Sequence, residues 1–123
     1  MRALVIDDSR TMRMIVSKIL HEIGFEIVEA KHGLDALEQL QKSGKFDMAM
    51  VDWNMPEMNG FDFVVKVRSD HTYDDMRLVM VTTETEMSHV AQALQAGANE
   101  YVMKPFTKEI ILEKLNVLGI APA

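Results

Sequence analysis

Four short and almost uninterrupted apolar runs punctuate the chain: Ala3-Leu4-Val5-Ile6, Met48-Ala49-Met50-Val51, Leu78-Val79-Met80-Val81 and Tyr101-Val102-Met103. Strands apolar at every position, rather than at every second one, belong in a parallel sheet covered on both faces. A fifth run, Glu26-Ile27-Val28-Glu29, is shorter and flanked by charge, which suits a sheet edge. Between the runs the apolar residues switch to helical spacing. Met12, Ile15, Val16, Ile19, Leu20 and Ile23 form one stripe, and Leu34, Leu37 and Leu40 a second. Phe61, Val64, Val65 and Val67 form a third, Met87, Val90, Ala91 and Leu94 a fourth, and Ile111, Leu115 and Leu118 a fifth. Gly24, Gly44 and Gly97 stand just past helices, where a left-handed residue ends the turn. The pattern predicts five βα units: an α/β fold with a doubly wound parallel sheet and helices on both faces.

Composition narrows the function without choosing it. A chain of 123 residues, 48% hydrophobic and 26% charged, suits one folded domain over residues 1–123. No apolar run reaches the roughly 20 residues that a membrane helix needs. The N-terminus enters strand-like sequence at once, leaving no room for a signal peptide, so a cytoplasmic location and no membrane partner are expected. With no cysteine, disulfides and thiolate metal sites are excluded. Thirteen Lys plus Arg against 19 Asp plus Glu give a net charge of -6, the wrong sign for a nucleic-acid partner.

In open parallel sheets, ligands bind beyond the carboxyl ends of the strands, at the point where strand order reverses. The first strand runs out in Asp7-Asp8, the third in Asp52, the fourth in Thr82-Thr83 and the fifth in Lys104-Pro105. Three carboxylates, a hydroxyl and an ammonium therefore converge on one rim. Clustered carboxylates repel one another, and a hard cation with oxygen ligands relieves that. Mg²⁺ fits, because it accepts one or two carboxylates together with water and phosphate oxygens. Three aspartates and one lysine sum to -2, so Mg²⁺ brings the pocket to neutrality and readies it for a phosphoryl group. A carboxylate is a competent nucleophile for that transfer, giving an acyl phosphate.

Each of these residues also has a bland reading. Asp7 and Asp8 would favour the positive end of the following helix, and Asp52 and Lys104 would be solvated strand ends. Jointly the bland readings fare badly, because all five polar groups fall on the functional rim of one fold. The four histidines show no metal or relay spacing, and the 11 methionines fall mostly at core positions.

The segments Val5-Ile6-Asp7-Asp8-Ser9, Val51-Asp52-Trp53-Asn54-Met55-Pro56, Met58-Asn59-Gly60, Val81-Thr82 and Tyr101-Val102-Met103-Lys104-Pro105-Phe106 carry a family resemblance. In register over nearly the whole chain, they resemble the receiver domains of bacterial response regulators, most of all the single-domain chemotaxis branch. The resemblance implies the flavodoxin-like strand order 2-1-3-4-5 and a cis Lys104-Pro105 bond. It implies Asp52 as phosphoacceptor, with Thr82 and Lys104 engaging the phosphoryl group. Asp8, Asp52 and the Asn54 carbonyl would hold Mg²⁺, with Asp7 on metal-bound water. Thr82 and Tyr101 would form a switch acting on a partner surface of the fourth helix, fifth strand and fifth helix, with Met87, Val90, Tyr101 and Lys114 as candidate contacts.

A sensor histidine kinase would be the phosphodonor, and a motor switch, a phosphotransfer protein or another effector the target of a monomeric domain without an output domain. Such a domain catalyses only its own phosphorylation and dephosphorylation. Two features depart from the family pattern. Thr83 stands where receivers usually carry Ala or Gly, and Glu84 with Glu86 makes the start of the fourth helix acidic.

Rival functions fit less well. An aspartyl-phosphate-forming phosphatase needs a second Asp two residues after the nucleophile, where this chain has Asn54. A flavodoxin-like cofactor module needs a hydroxyl- and Gly-rich loop after the first strand, where this chain has Asp7-Asp8-Ser9-Arg10. Within the receiver reading, a phosphorelay intermediate that hands its phosphoryl group to a phosphotransfer protein is the alternative to a chemotaxis regulator.

Overall fold

In the computed structural model, residues 1–120 are described, with Glu84 described by its backbone alone. The tail at 121–123 and the Glu84 side chain, part of the acidic corner expected above, lie outside the described residues. Five strands, β1 (Arg2–Ile6), β2 (Glu26–Ala30), β3 (Met48–Asp52), β4 (Arg77–Thr82) and β5 (Glu100–Met103), pair in parallel in the order β2-β1-β3-β4-β5. They alternate with helices α1 (Arg10–Ile23), α2 (Gly33–Ser43), α3 (Gly60–Arg68), α4 (Val90–Ala96) and α5 (Lys108–Leu118). The charged β2 run is an edge strand, as its sequence suggests.

Alternate side chains of each strand feed two cores, since successive Cβ atoms point to opposite faces. Leu4, Ile6, Ala49, Val51, Leu78 and Met80 pack with α2, α3 and α4 through Ala36, Leu40, Phe63, Val64, Val67 and Ala93. Ala3, Val5, Met48, Met50, Val79, Val81 and Val102 pack with α1 and α5 through Val16, Leu20, Ile111 and Leu115. Local signals set the helix ends. Ser9 Oγ accepts from the Met12 N–H at 3.3 Å to start α1, and Asn59 Oδ1 accepts from the Asp62 N–H at 2.9 Å to start α3. Gly24 and Gly97 end α1 and α4 with φ of 121° and 123°.

The faces of three helices differ from their predicted stripes. In α2 the inward residues are Gly33, Ala36 and Leu40, while Leu34 is exposed. In α3 Phe63 is fully buried, and Val65 turns to solvent. Adjacent apolar pairs leave the stripe's position ambiguous by one residue, and small residues such as Ala36 allow the closest approach to the sheet. The fourth stripe changes most. Residues Glu84–His89 form a 3-10 helix, and α4 begins only at Val90. Met87 therefore does not continue the α4 face, and Val90 and Ala93 carry its packing.

Candidate functional site

The register fixes where the polar strand ends meet. Ile6 aligns with Val51 across β1 and β3, so Asp7 and Asp52 are the next residues along two neighbouring strands. Strand order reverses between these two strands, because β1 has β2 on one side and β3 on the other. Carboxylate oxygens of Asp7, Asp8 and Asp52 all lie within 4.8 Å of one another. Asp7 and Asp52 are buried and Asp8 is exposed. From the far side, Lys104 Nζ reaches Asp52 Oδ1 at 3.1 Å and Asp7 Oδ2 at 3.7 Å. The Lys104-Pro105 bond is cis, as the resemblance implies.

The backbone around the cluster is held tightly. The Ser9 N–H donates to Asp7 Oδ1 at 2.8 Å, and Arg13 Nη1 donates to the Asp7 carbonyl at 2.7 Å. Arg13 also pairs with Glu29 at 3.3 Å, tying α1 to β2 beneath the site. Gly60 opens α3 against the end of β3, where a Cβ would stand 2.8 Å from the Asp52 carbonyl oxygen and 3.0 Å from Trp53 Cα. Only glycine allows that approach.

Electrostatics follow from burial. Loss of water pushes the Asp52 carboxyl from its ordinary 3.8 up to about 6, and the Asp7 charge adds to the rise while Lys104 opposes it. Burial likewise raises Asp7, against the Ser9 hydrogen bond and Lys104, which lower it. Three carboxylates with one ammonium leave a net negative, all-oxygen donor set, which fits a hard divalent cation such as Mg²⁺. Asp8, at the solvent side of the cluster, is the carboxylate best placed to meet an incoming ion. Asp8→Ala is expected to weaken Mg²⁺ binding at least about tenfold, since the few carboxylates dominate such a site. Fluorescence of Trp53 during Mg²⁺ titration checks this, and a variant that titrates like its parent removes Asp8 from the ligand set.

Not every candidate joins the cluster. Thr82, the last residue of β4, is fully buried, but its hydroxyl donates to Met87 Sδ at 3.5 Å rather than toward the carboxylates. Asn54 lies exposed in the loop after β3. Tyr101 is half-buried in β5, with Lys114 Nζ 4.5 Å from its ring centroid and paired to Glu100 at 3.2 Å. Of the expected partner-surface residues, Val90 is buried at 6% exposure and offers no surface, because it is the first inward residue of α4. Thr83 precedes the 3-10 helix, and its N–H donates to Glu86 Oε1 at 2.9 Å. Sequence reasoning passed over Arg13 and His89, and it placed Met87 on the partner surface without anticipating its contact with Thr82. The His89 ring stacks on Trp53 with centroids 5.3 Å apart and planes at 12°. No spacing rule points to these residues, because each contact joins separate elements.

Comparison with known proteins agrees with this geometry. The family model for the response regulator receiver domain matches residues 3–116. The chemotaxis protein CheY1 of Helicobacter pylori is 46% identical over 119 residues, 96% of each chain. A chemotaxis protein CheY homolog of Campylobacter jejuni is 47% identical over 121 residues, 97% of this chain and 93% of that protein. The solved structure of chemotaxis response regulator CheY4 of Vibrio cholerae superposes with a TM-score of 0.86 at 37% identity, covering 95% of this chain and 97% of that one. Family model, relatives and fold agree: the chain belongs to the response-regulator receiver family.

Proposed function

We propose that this receiver takes a phosphoryl group on Asp52 from the phosphohistidine of a sensor histidine kinase and then signals by binding a protein partner. The observation that carries the reading is the Asp7, Asp8 and Asp52 cluster with Lys104 Nζ 3.1 Å from Asp52. An Asp52 oxygen attacks phosphorus, the phosphorus–nitrogen bond of the donor breaks, and the imidazole leaves with its electron pair and takes up a proton. Lys104 balances negative charge on the phosphoryl oxygens, and Thr82, at the neighbouring strand end, donates its hydroxyl to one of them. Asp8, Asp52 and the Asn54 carbonyl would hold a Mg²⁺, with Asp7 acting through water, and the ion would supply the remaining charge neutralisation.

Thr82 and Tyr101 then relay occupancy of the site to the face formed by α4, β5 and α5, where Tyr101, Lys114 and Glu100 stand together. The chemotaxis names of relatives at 42–47% identity favour a motility partner over a phosphorelay. The reading makes the protein a cytoplasmic regulator with no substrate other than its own Asp52.

Incubation with acetyl phosphate and Mg²⁺, followed by intact-mass measurement, tests the reading. The parent is expected to gain one phosphoryl group, lost with chelator and absent in Asp52→Asn. Equal labelling of both proteins, or labelling indifferent to chelator, overturns it.

A further inference from the structure

A buried hydroxyl must donate to something, because an unmade hydrogen bond in the interior is expensive. Thr82 is fully buried, and the partner its hydroxyl finds is a thioether, Met87 Sδ at 3.5 Å. Sulfur is a weak acceptor, so this contact satisfies the hydroxyl while holding it only loosely. We propose that Met87 is the resting-state acceptor of the Thr82 hydroxyl, a positioning residue that sets how readily Thr82 is released to the phosphoryl group. The proposal rests on the reading of Asp52 as phosphoacceptor and adds to it a residue that fixes the poise of the switch.

The segment that carries Met87 is built to hold that sulfur in place. Residues Glu84–His89 form a 3-10 helix, whose tighter winding places Met87 differently from an α-helical turn. At its start the Glu86 carboxylate accepts from the Thr83 N–H at 2.9 Å, and the Thr83 and Thr85 hydroxyls meet at 2.9 Å. At its end His89 stacks on Trp53, the residue that follows Asp52. The backbone N–H of Trp53 in turn donates to the Val81 carbonyl at 3.1 Å, one residue before Thr82. Both ends of the segment are thus tied to residues flanking the candidate phosphoacceptor and the switch hydroxyl. Met87 stands between these two anchors, which fix where its backbone lies relative to Thr82. Releasing Thr82 exchanges a weak acceptor for a charged phosphoryl oxygen, and the strength of the weak contact is subtracted from the gain.

The acceptor strength can be changed in either direction without changing bulk. Met87→Leu conserves volume and removes the acceptor, a swap that cores tolerate well. Met87→Gln keeps a similar length and supplies a carbonyl, a stronger acceptor. Beryllofluoride with Mg²⁺ serves as the phosphoryl mimic, titrated by Trp53 fluorescence. Met87→Leu is expected to bind it roughly two- to fivefold more tightly than the parent, the worth of one weak hydrogen bond, and Met87→Gln more weakly. In a Thr82→Ala background the same two changes are expected to leave affinity unaltered, since the hydroxyl they act through is gone.

A Met87→Leu affinity equal to the parent's, or a change that persists in Thr82→Ala, overturns the proposal. NMR of the resting protein without beryllofluoride separates this from the phosphoacceptor reading. The Thr82 methyl resonance and side-chain rotamer are expected to shift in Met87→Leu whether or not Asp52 takes the mimic, and an unmoved Thr82 overturns the latch. A parent that binds no beryllofluoride counts against Asp52 instead.

Discussion

Lys104→Met is expected to slow phosphorylation by acetyl phosphate roughly 10²- to 10³-fold while tightening Mg²⁺ binding. The two effects have opposite signs because the ammonium has two relations to the site. In the resting protein Lys104 sits 3.1 Å from Asp52 and 3.7 Å from Asp7, sharing the carboxylates that a metal ion would hold. Removing it leaves the three carboxylates without their ammonium partner, with Arg13 acting on Asp7 alone from the side of its carbonyl, and a dication gains from that. In the proposed transfer the same ammonium would be a preformed positive charge beside the phosphoryl oxygens. Loss of one preorganised donor at a developing charge costs on the order of 10²–10³ in rate in comparable sites.

Methionine keeps most of the aliphatic stem, so loss of packing stays small. Initial rates at saturating Mg²⁺ isolate the transfer step, and Trp53 fluorescence reports the metal affinity separately. A variant within about threefold of the parent rate would show that the lysine serves only the resting charge balance.

Why the pocket could be read from the chain while the contact of Met87 with Thr82 could not is a matter of how far each depends on tertiary packing. Asp7, Asp52, Thr82 and Lys104 end or follow apolar runs, and a parallel sheet carries all such ends to one rim. Strand periodicity therefore locates them without knowledge of any helix. The resemblance then supplied their roles, which charge and spacing alone leave as a phosphate- or metal-binding rim. Helix faces were less secure. Leu34 and Val65 look inward by hydropathy, yet Ala36 and Phe63 take the buried places, since the sheet selects by fit as well as by apolarity.

The region after Thr82 was least legible. Met87 and Val90 share a helical spacing, but the Thr83–Glu86 contact winds Glu84–His89 as a 3-10 helix and turns Met87 back onto Thr82. That outcome hangs on a side-chain acceptor, which no hydropathy pattern records.

The burial of the Asp52 carboxyl costs the fold stability, and Asp52→Asn is expected to raise stability at neutral pH by roughly 1–3 kcal/mol. A carboxyl whose native pKa is about 6 binds a proton in the folded protein across a range where the unfolded chain, with its ordinary 3.8, has already lost it. Folding is thus favoured at low pH, and this contribution declines as pH rises through the window from about 4 to about 6. Above that window the full cost remains, at most about 3 kcal/mol for a carboxyl displaced that far. Asparagine is close to aspartate in shape and carries no charge, so it escapes the cost. It also leaves Lys104 with Asp7 as its nearer remaining partner, which offsets part of the gain.

For a chain of this size the gain corresponds to a rise in Tm on the order of 5–10 °C. Thermal unfolding of both proteins in chelator between pH 4 and pH 8 gives the test. The gap in Tm is expected to be largest at pH 7 and above and to close toward pH 4, where the parent's Asp52 is protonated. Saturating Mg²⁺ at pH 7 should narrow the gap as well, because a bound cation compensates the same buried charge that asparagine removes. An Asp52→Asn protein no more stable than its parent at pH 7, or a gap that is the same at every pH, would mean that the Asp52 charge is already compensated within the resting fold.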